Sequence, residues 1–143
     1  EVRKIVHDLK PEQMDKKQLD IALEEFFHEV QVNSGIDIQF RKNEPTFTLT
    51  SEAELSIFRG VQEAITNAMR HGQATRITVL LMYNPSQLVV TIKDNGTGAV
   101  DLAPKGGLKS LQERLRGEGG SVTLEASNPG VTVQMILPNT EKQ

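Results

Sequence analysis

Apolar residues along the chain follow two rhythms, and the switches between them mark the elements. From residue 17 to 33, Leu19, Leu23, Phe26, Phe27 and Val30 recur every three or four positions. That spacing predicts an amphipathic helix ending near Gly35. Ile36, Ile38 and Phe40 then alternate with polar residues as in a half-buried strand, and Pro45 interrupts the run before Phe47 and Leu49. Ser51 with Glu54 three positions later reads as a capping box, opening a helix with Leu55, Phe58, Ile65 and Met69 on one stripe up to Gly72. Residues 77–83 and 88–93 are β-rich runs joined by Asn84-Pro85-Ser86, a hairpin composition, and Asp94 falls where the second strand ends. Leu108, Leu111 and Leu115 predict a helix over 107–116, and runs at 122–126 and 131–137 close the chain as a hairpin around Asn128-Pro129-Gly130. Residues 2–9 read as the end of an earlier helix, stopped by Pro11. The expected architecture is α+β: a two-layer sandwich of a mixed, mainly antiparallel sheet packed on one face by about three helices.

Composition narrows what such a fold can be. A chain of 143 residues, 37% hydrophobic and 24% charged, reads as one soluble domain with room for a core. No apolar run approaches the roughly 20 residues of a membrane-spanning helix, and no signal peptide is visible. The chain opens at Glu1 inside a helix-like run and is expected to be a piece of a longer protein. A net charge of -3, with no basic run interleaved with aromatics, argues against nucleic acid as a partner. Cysteine is absent, which removes disulfides and thiolate zinc sites and suits a cytoplasmic setting. His7, His28 and His71 are too scattered for a metal cluster, so a metal is expected to arrive with a ligand.

Three short segments carry chemistry. Asp94-Asn95-Gly96-Thr97-Gly98 follows a strand; Glu63, Asn67 and Arg70 share the polar side of a helix; Gly106-Gly107-Leu108 opens the next helix. Gly60, Ala64 and Ala68 flank the polar side and are expected to keep its surface low enough for a ligand to approach. Alone, the first segment is a turn and the second a solvated face. A P-loop is excluded by the absence of its lysine-bearing glycine run, and Gly96-Thr97-Gly98 lacks the third glycine of a dinucleotide fingerprint.

In combination and order the segments resemble the ATPase domain shared by sensor histidine kinases, gyrase, Hsp90 and MutL, the Bergerat or GHKL fold. Residues 62–71 resemble its N box, 94–98 its G1 box and 106–114 its G2 box; within the family the spelling is similar to histidine kinases of the DegS and NarX type. The resemblance runs over nearly the whole chain, including Leu9-Lys10-Pro11, which resembles the end of a dimerisation helix. It implies that the carboxylate of Asp94, an acceptor only, takes a hydrogen bond from the exocyclic amine of adenine, where guanine would present a carbonyl. It implies close backbone approach to the base at Gly96 and Gly98, and Mg2+ held by the side-chain carbonyl of Asn67 together with ATP phosphates. Glu63 resembles the family's catalytic base. Gly106, Gly107 and Leu108 would offer backbone amides to phosphate, and residues 99–105 would form the ATP lid. Arg70 and His71 reach phosphate or complement the helix dipole; Lys105 reaches phosphate or is solvated; Thr132 helps hold adenine through water or is an ordinary strand threonine.

The chain departs from the family pattern in two places. Lys105-Gly106-Gly107-Leu108 has lost the first glycine of the usual G2 box or a residue between its glycines, and Val131 stands where glycine often precedes the threonine. His7-Asp8 has the spelling of a phosphoacceptor but sits two residues before Leu9-Lys10-Pro11, at the end of the second dimerisation helix, so the acceptor is expected elsewhere in the parent. The implied organisation is a dimerisation-helix end over 1–12, the ATPase domain over 13–138 and a tail over 139–143. The function the resemblance implies is transfer of the γ-phosphoryl of ATP to a histidine of the dimerisation domain, then relay to a response regulator of the NarL-like class. The parent is expected to be a cytoplasmic-facing homodimer, soluble or membrane-anchored, and this piece a monomer. A serine kinase of the anti-sigma type and an inactive nucleotide-binding module are the alternatives.

Overall fold

Period-two burial in the strands and period-3.6 burial in the helices converge on one apolar layer. The computed structural model describes residues 18–98, 102–127 and 129–140. Residues 1–12, with His7 and Leu9-Lys10-Pro11, and the expectations placed on them lie outside these. In chain order the elements are α1 (Leu19–Ser34), β1 (Asp37–Lys42), α2 (Ser51–Arg70), β2 (Arg76–Tyr83), β3 (Gln87–Asp94), α3 (Gly106–Arg116), β4 (Ser121–Ala126) and β5 (Val131–Pro138). The strands form one sheet in the order β1-β2-β3-β5-β4. β1 pairs parallel with β2, and the other three pairings are antiparallel. The long α2 excursion makes the parallel pair possible, because such a crossover needs a dozen or more residues. This is the expected mixed sheet, an open α+β sandwich.

One sheet face carries the core. Ile77, Val79 and Leu81 of β2, Leu88, Val90 and Ile92 of β3, and Val131, Val133, Met135 and Leu137 of β5 are all buried. Against them pack Leu23, Phe26, Phe27 and Val30 of α1, Ile57, Phe58, Val61 and Ile65 of α2, and Leu108, Leu111 and Leu115 of α3. Phe26 meets Phe58 edge-on with centroids 5.9 Å apart, and Phe27 meets Phe40 at 5.2 Å, so α1 is fastened to both α2 and β1 by aromatic contacts. On the surface, Lys42 bridges Asp20 and Glu24 of α1, and its hydrogen bond with Asp20 raises its pKa. An exposed pair of this kind adds little to stability.

Three local expectations are corrected. The cap of α2 is Thr50, whose hydroxyl accepts from the Ala53 amide at 3.1 Å; Ser51 is already the first helical residue. Either hydroxyl could serve, and helix entry one residue earlier hands the role to threonine. Phe47 and Leu49 belong to no strand. The Asn43 side chain takes both the N–H and the C=O of Tyr83, at 2.7 and 2.8 Å, occupying the ladder groups that a continuing strand would need. Phe47 instead packs edge-on against the Tyr83 ring at 5.4 Å, and burial pushes the Tyr83 phenol up to about 12. The small residues of α2 are covered: Gly60, Ala64 and Ala68 are buried, and a Cβ on Gly60 would come within 2.7 Å of Leu111 of α3. Gly60 lets α3 sit close to α2, and none of the three lines an open surface.

Ile65, fully buried at the centre of α2, tests the packing. Ile65→Ala should lower unfolding stability by about 2–5 kcal/mol, and Thr50→Ala by about 1 kcal/mol through loss of the cap. Urea denaturation at constant m reads both; a near-neutral Ile65→Ala would contradict the layer described.

Candidate functional site

Strand parity decides which way each candidate side chain points. Asp94 ends β3 on the same face as Leu88, Val90 and Ile92, and it is the one buried charged residue among those described, at 9% exposure. Burying a carboxylate is costly unless hydrogen bonds replace water. Here Oδ1 accepts from the Gly96 amide at 2.8 Å and the Val131 amide at 3.3 Å, amides from two different parts of the chain. No hydrogen bond to Oδ2 is found among the described residues, so the group has one anchored oxygen and one acceptor left for a ligand.

Two glycines make that arrangement sterically possible. Gly130 has φ of 94°, and a Cβ there would run into the Asp94 carbonyl oxygen and lie 2.6 Å from Oδ1. Gly96 presses on the Gly72 carbonyl so closely that no side chain fits between them. Gly98 lies beyond, also with positive φ. Gly130 and Val131 were missed by sequence reasoning, which took Asn128-Pro129-Gly130 only as a turn.

Glu63 and Asn67 lie one helical turn apart on α2 and are both half-buried, while Arg70 and His71 at the helix end are exposed. The Asn67 backbone carbonyl accepts the amides of His71 at 2.9 Å and Gly72 at 3.2 Å, closing the helix onto the loop to β2, whose Gly72 carbonyl meets Gly96. Glu63 faces the start of α3: its Oε1 accepts from the Gly107 amide at a long 3.4 Å, and a Cβ on Gly106 would come within 3.2 Å of the same oxygen. A carboxylate thus sits where a helix N-terminus attracts anions.

The structure does not bring every candidate to this place. Thr132 pairs with Lys93 across the β3–β5 ladder. Directly paired residues share a sheet face, so the Thr132 side chain is on the opposite face from Asp94. The residue beside the carboxylate is Val131; a one-residue offset inverts the face. Leu108 offers no free amide, since its N–H bonds the Lys105 carbonyl at 3.1 Å and its side chain is in the core. First-turn closure of this kind is normal where a helix begins on a tight turn. Lys105 is the exposed residue preceding α3, and its carbonyl also receives the Lys109 amide. Of the expected lid, residues 99–101 lie outside the described residues, and Leu102 packs partly against the core.

Among the described residues no group of three or more His, Asp or Glu could hold a metal ion by itself. Asn67 and Glu63 nevertheless supply hard oxygen donors one turn apart, the donor type that suits magnesium completed by phosphates and water. No described helix is long and apolar enough to cross a membrane.

Comparison with known proteins bears on the family and the fold. A family model described as histidine kinase-, DNA gyrase B- and HSP90-like ATPase matches residues 52–141. The chain is 30% identical to the sensor histidine kinase MctS of Rhizobium johnstonii, over 98% of this chain and 32% of that protein. It is 30% identical to the oxygen sensor histidine kinase NreB of Staphylococcus carnosus, over 99% of this chain and 42% of that protein. The chain therefore spans well under half the length of these curated relatives. Among solved structures, the catalytic domain of histidine kinase ThkA superposes with a TM-score of 0.67 at 20% identity, covering 87% of this chain and 94% of that one. The ATP-binding domain of PrrB from Mycobacterium tuberculosis superposes at 0.60 with 23% identity, covering 80% and 88%. At such identities these two likenesses speak for the fold.

Gly130→Ala should force the β4–β5 turn away from Asp94 and release one of the two amides on Oδ1. The expected result is a drop in melting temperature together with loss of ligand binding at the site. A variant with wild-type stability and binding would refute the clasp.

Proposed function

Since the chain belongs to the histidine kinase-, DNA gyrase B- and HSP90-like ATPase family, we propose that it is the ATP-binding catalytic domain of a two-component sensor histidine kinase. It acts as a protein histidine kinase on an acceptor histidine carried by the parent's dimerisation domain. The observation that carries this reading is the buried Asp94 carboxylate with one oxygen anchored and one open.

Asp94 Oδ2 accepts the hydrogen bond of the adenine 6-amino group. Guanine would set a carbonyl oxygen against the carboxylate, a repulsion added to the loss of a bond worth about 1.5–3 kcal/mol. Gly96 and Gly98 let the backbone lie close to the base. The Asn67 side chain would hold Mg2+ together with the phosphates, where the ion would supply positive charge against theirs. Gly106 and Gly107 turn the α3 N-terminus toward the phosphates, with Lys105, Arg70 and His71 on the solvent side. Glu63 exchanges the long Gly107 contact for a proton of the acceptor imidazole. In the transfer a nitrogen–phosphorus bond forms, the bond from the γ-phosphorus to the bridging oxygen breaks, ADP leaves, and the imidazole proton passes to Glu63.

The parent's remaining parts follow from the same reading. On this reading residues 1–12 belong to the dimerisation domain and its linker, 13–138 to the ATPase domain and 139–143 to a C-terminal tail. The phosphoryl group passes from the histidine to a response regulator of the NarL-like class, in a cytoplasmic-facing homodimer.

Calorimetric titration with Mg-ATP and Mg-GTP tests the reading. Heat with ATP and little with GTP is expected, and equal affinity for the two would sink the role of Asp94. Asp94→Asn should abolish binding. Glu63→Gln should bind ATP normally yet transfer phosphate to a separately supplied acceptor domain at least 100-fold more slowly, within the range of general-base losses; wild-type transfer would remove Glu63 as the base.

A further inference from the structure

Asn95, between the carboxylate and the first glycine of its loop, is exposed, yet both polar atoms of its side chain are engaged. Its Oδ1 accepts the amides of Thr75 and Arg76, both at 2.9 Å, and its Nδ2 donates to Thr75 Oγ1 at 3.0 Å. Its own amide donates to the Arg76 carbonyl at 3.2 Å. An asparagine in a turn ordinarily bonds its own backbone two or three residues on. Asn95 reaches instead across the fold to the start of β2, so ordinary turn chemistry does not account for it.

The residues on either side of that anchor lead to both halves of the site. Asp94 precedes it, with its Oδ1 held by the Gly96 amide. After it, the Thr97 amide donates to the Gly72 carbonyl at 2.7 Å, and the Gly72 amide donates in turn to the Asn67 carbonyl. Between Gly72 and Thr75 the chain leaves α2 through Gln73, the one described non-glycine residue with positive φ, at 53°, and the Ala74 amide returns to the Ala68 carbonyl at 3.0 Å. A left-handed glutamine is uncommon and persists where its surroundings over-determine it. The segment from Gly72 to Arg76 is thus fixed at one end by α2 and at the other by Asn95.

We propose that Asn95 is a positioning residue for nucleotide recognition: by pinning the Asp94 loop to the strap between α2 and β2, it sets the distance from the base-reading carboxylate to the helix face of Glu63 and Asn67. The inference rests on the nucleotide reading of the site and adds to it a residue that touches no part of the nucleotide. Base and phosphates are covalently joined within one ligand of limited reach, so a site that reads both ends is helped by having its two halves held at a separation the ligand can span.

The test combines nucleotide titration of Asn95 variants with amide exchange on the wild-type chain. Asn95→Ala should weaken Mg-ATP binding about tenfold or more, the scale of losing more than one net hydrogen bond, and should shrink the preference for ATP over GTP at a temperature where the variant is folded. Asn95→Asp keeps an acceptor for both amides and should restore most of the ATP affinity. A merely structural role would lower the melting temperature and leave the ATP-to-GTP ratio of the folded protein unchanged, and that result overturns the proposal. On the wild-type chain, saturating Mg-ATP should raise the exchange protection of the Thr75 and Arg76 amides. Unchanged protection overturns the proposal even if no Asn95 variant folds. A wild-type chain that binds neither nucleotide instead overturns the nucleotide reading, and this inference with it.

Discussion

One carboxylate is held at the end of a central strand by the amides of Gly96 and Val131, and the neighbouring architecture follows from keeping it there. Water must be replaced by hydrogen bonds if a charged group is to be buried, and two amides from distant segments do this for Oδ1. Both donors must come close, which is why Gly130 and Gly96 have no room for side chains. β5 must lie beside β3 for the Val131 amide to reach Asp94, and the observed strand order supplies that neighbour. The catalytic candidates on α2 are then set relative to Asp94 through the short strap that runs back to β2.

The phosphate half of the site is organised differently. Glu63 lies against the N-terminal amide of α3 in a long hydrogen bond, and Gly106 and Gly107 leave the carboxylate in contact with bare backbone. A contact of this length is weak, so an incoming phosphate can displace the carboxylate at small cost. On the proposed function, the base-reading half is pre-formed by the hydrogen bonds on Asp94, while the phosphate half would exchange one anion for another. The packing of α3 on α2 supports the contrast: Gly60, where a Cβ would press on Leu111, lets the two helices approach, bringing the α3 terminus within reach of Glu63.

Much of this was legible in the chain. Alternation located the strands, three-and-four spacing located the helices, and Asp94 stood out because glycines surround it at the end of an apolar strand. What escaped depended on long-range partners or on a shift of one residue. Thr132 was assigned to the site, but a strand turns its side chain over at every position, and Val131 is the neighbour that faces Asp94. Ser51 and Thr50 are chemically equivalent caps until the entry of the helix is known. Gly60, Ala64 and Ala68 suggested an open surface because small residues admit a ligand and a helix equally well. Asn95 read as turn chemistry, since nothing local reveals that its partners are Thr75 and Arg76.

The central claim is that Asp94 reads the exocyclic amine of adenine, and it is tested most directly by comparing ATP with the purine riboside triphosphate that lacks this amine. Calorimetry on the wild-type chain should show roughly 10- to 100-fold weaker binding of the amine-free nucleotide, as expected for one hydrogen bond to a charged group. Equal affinity for the two nucleotides would show that the carboxylate does not contact the amine, and would contradict the account.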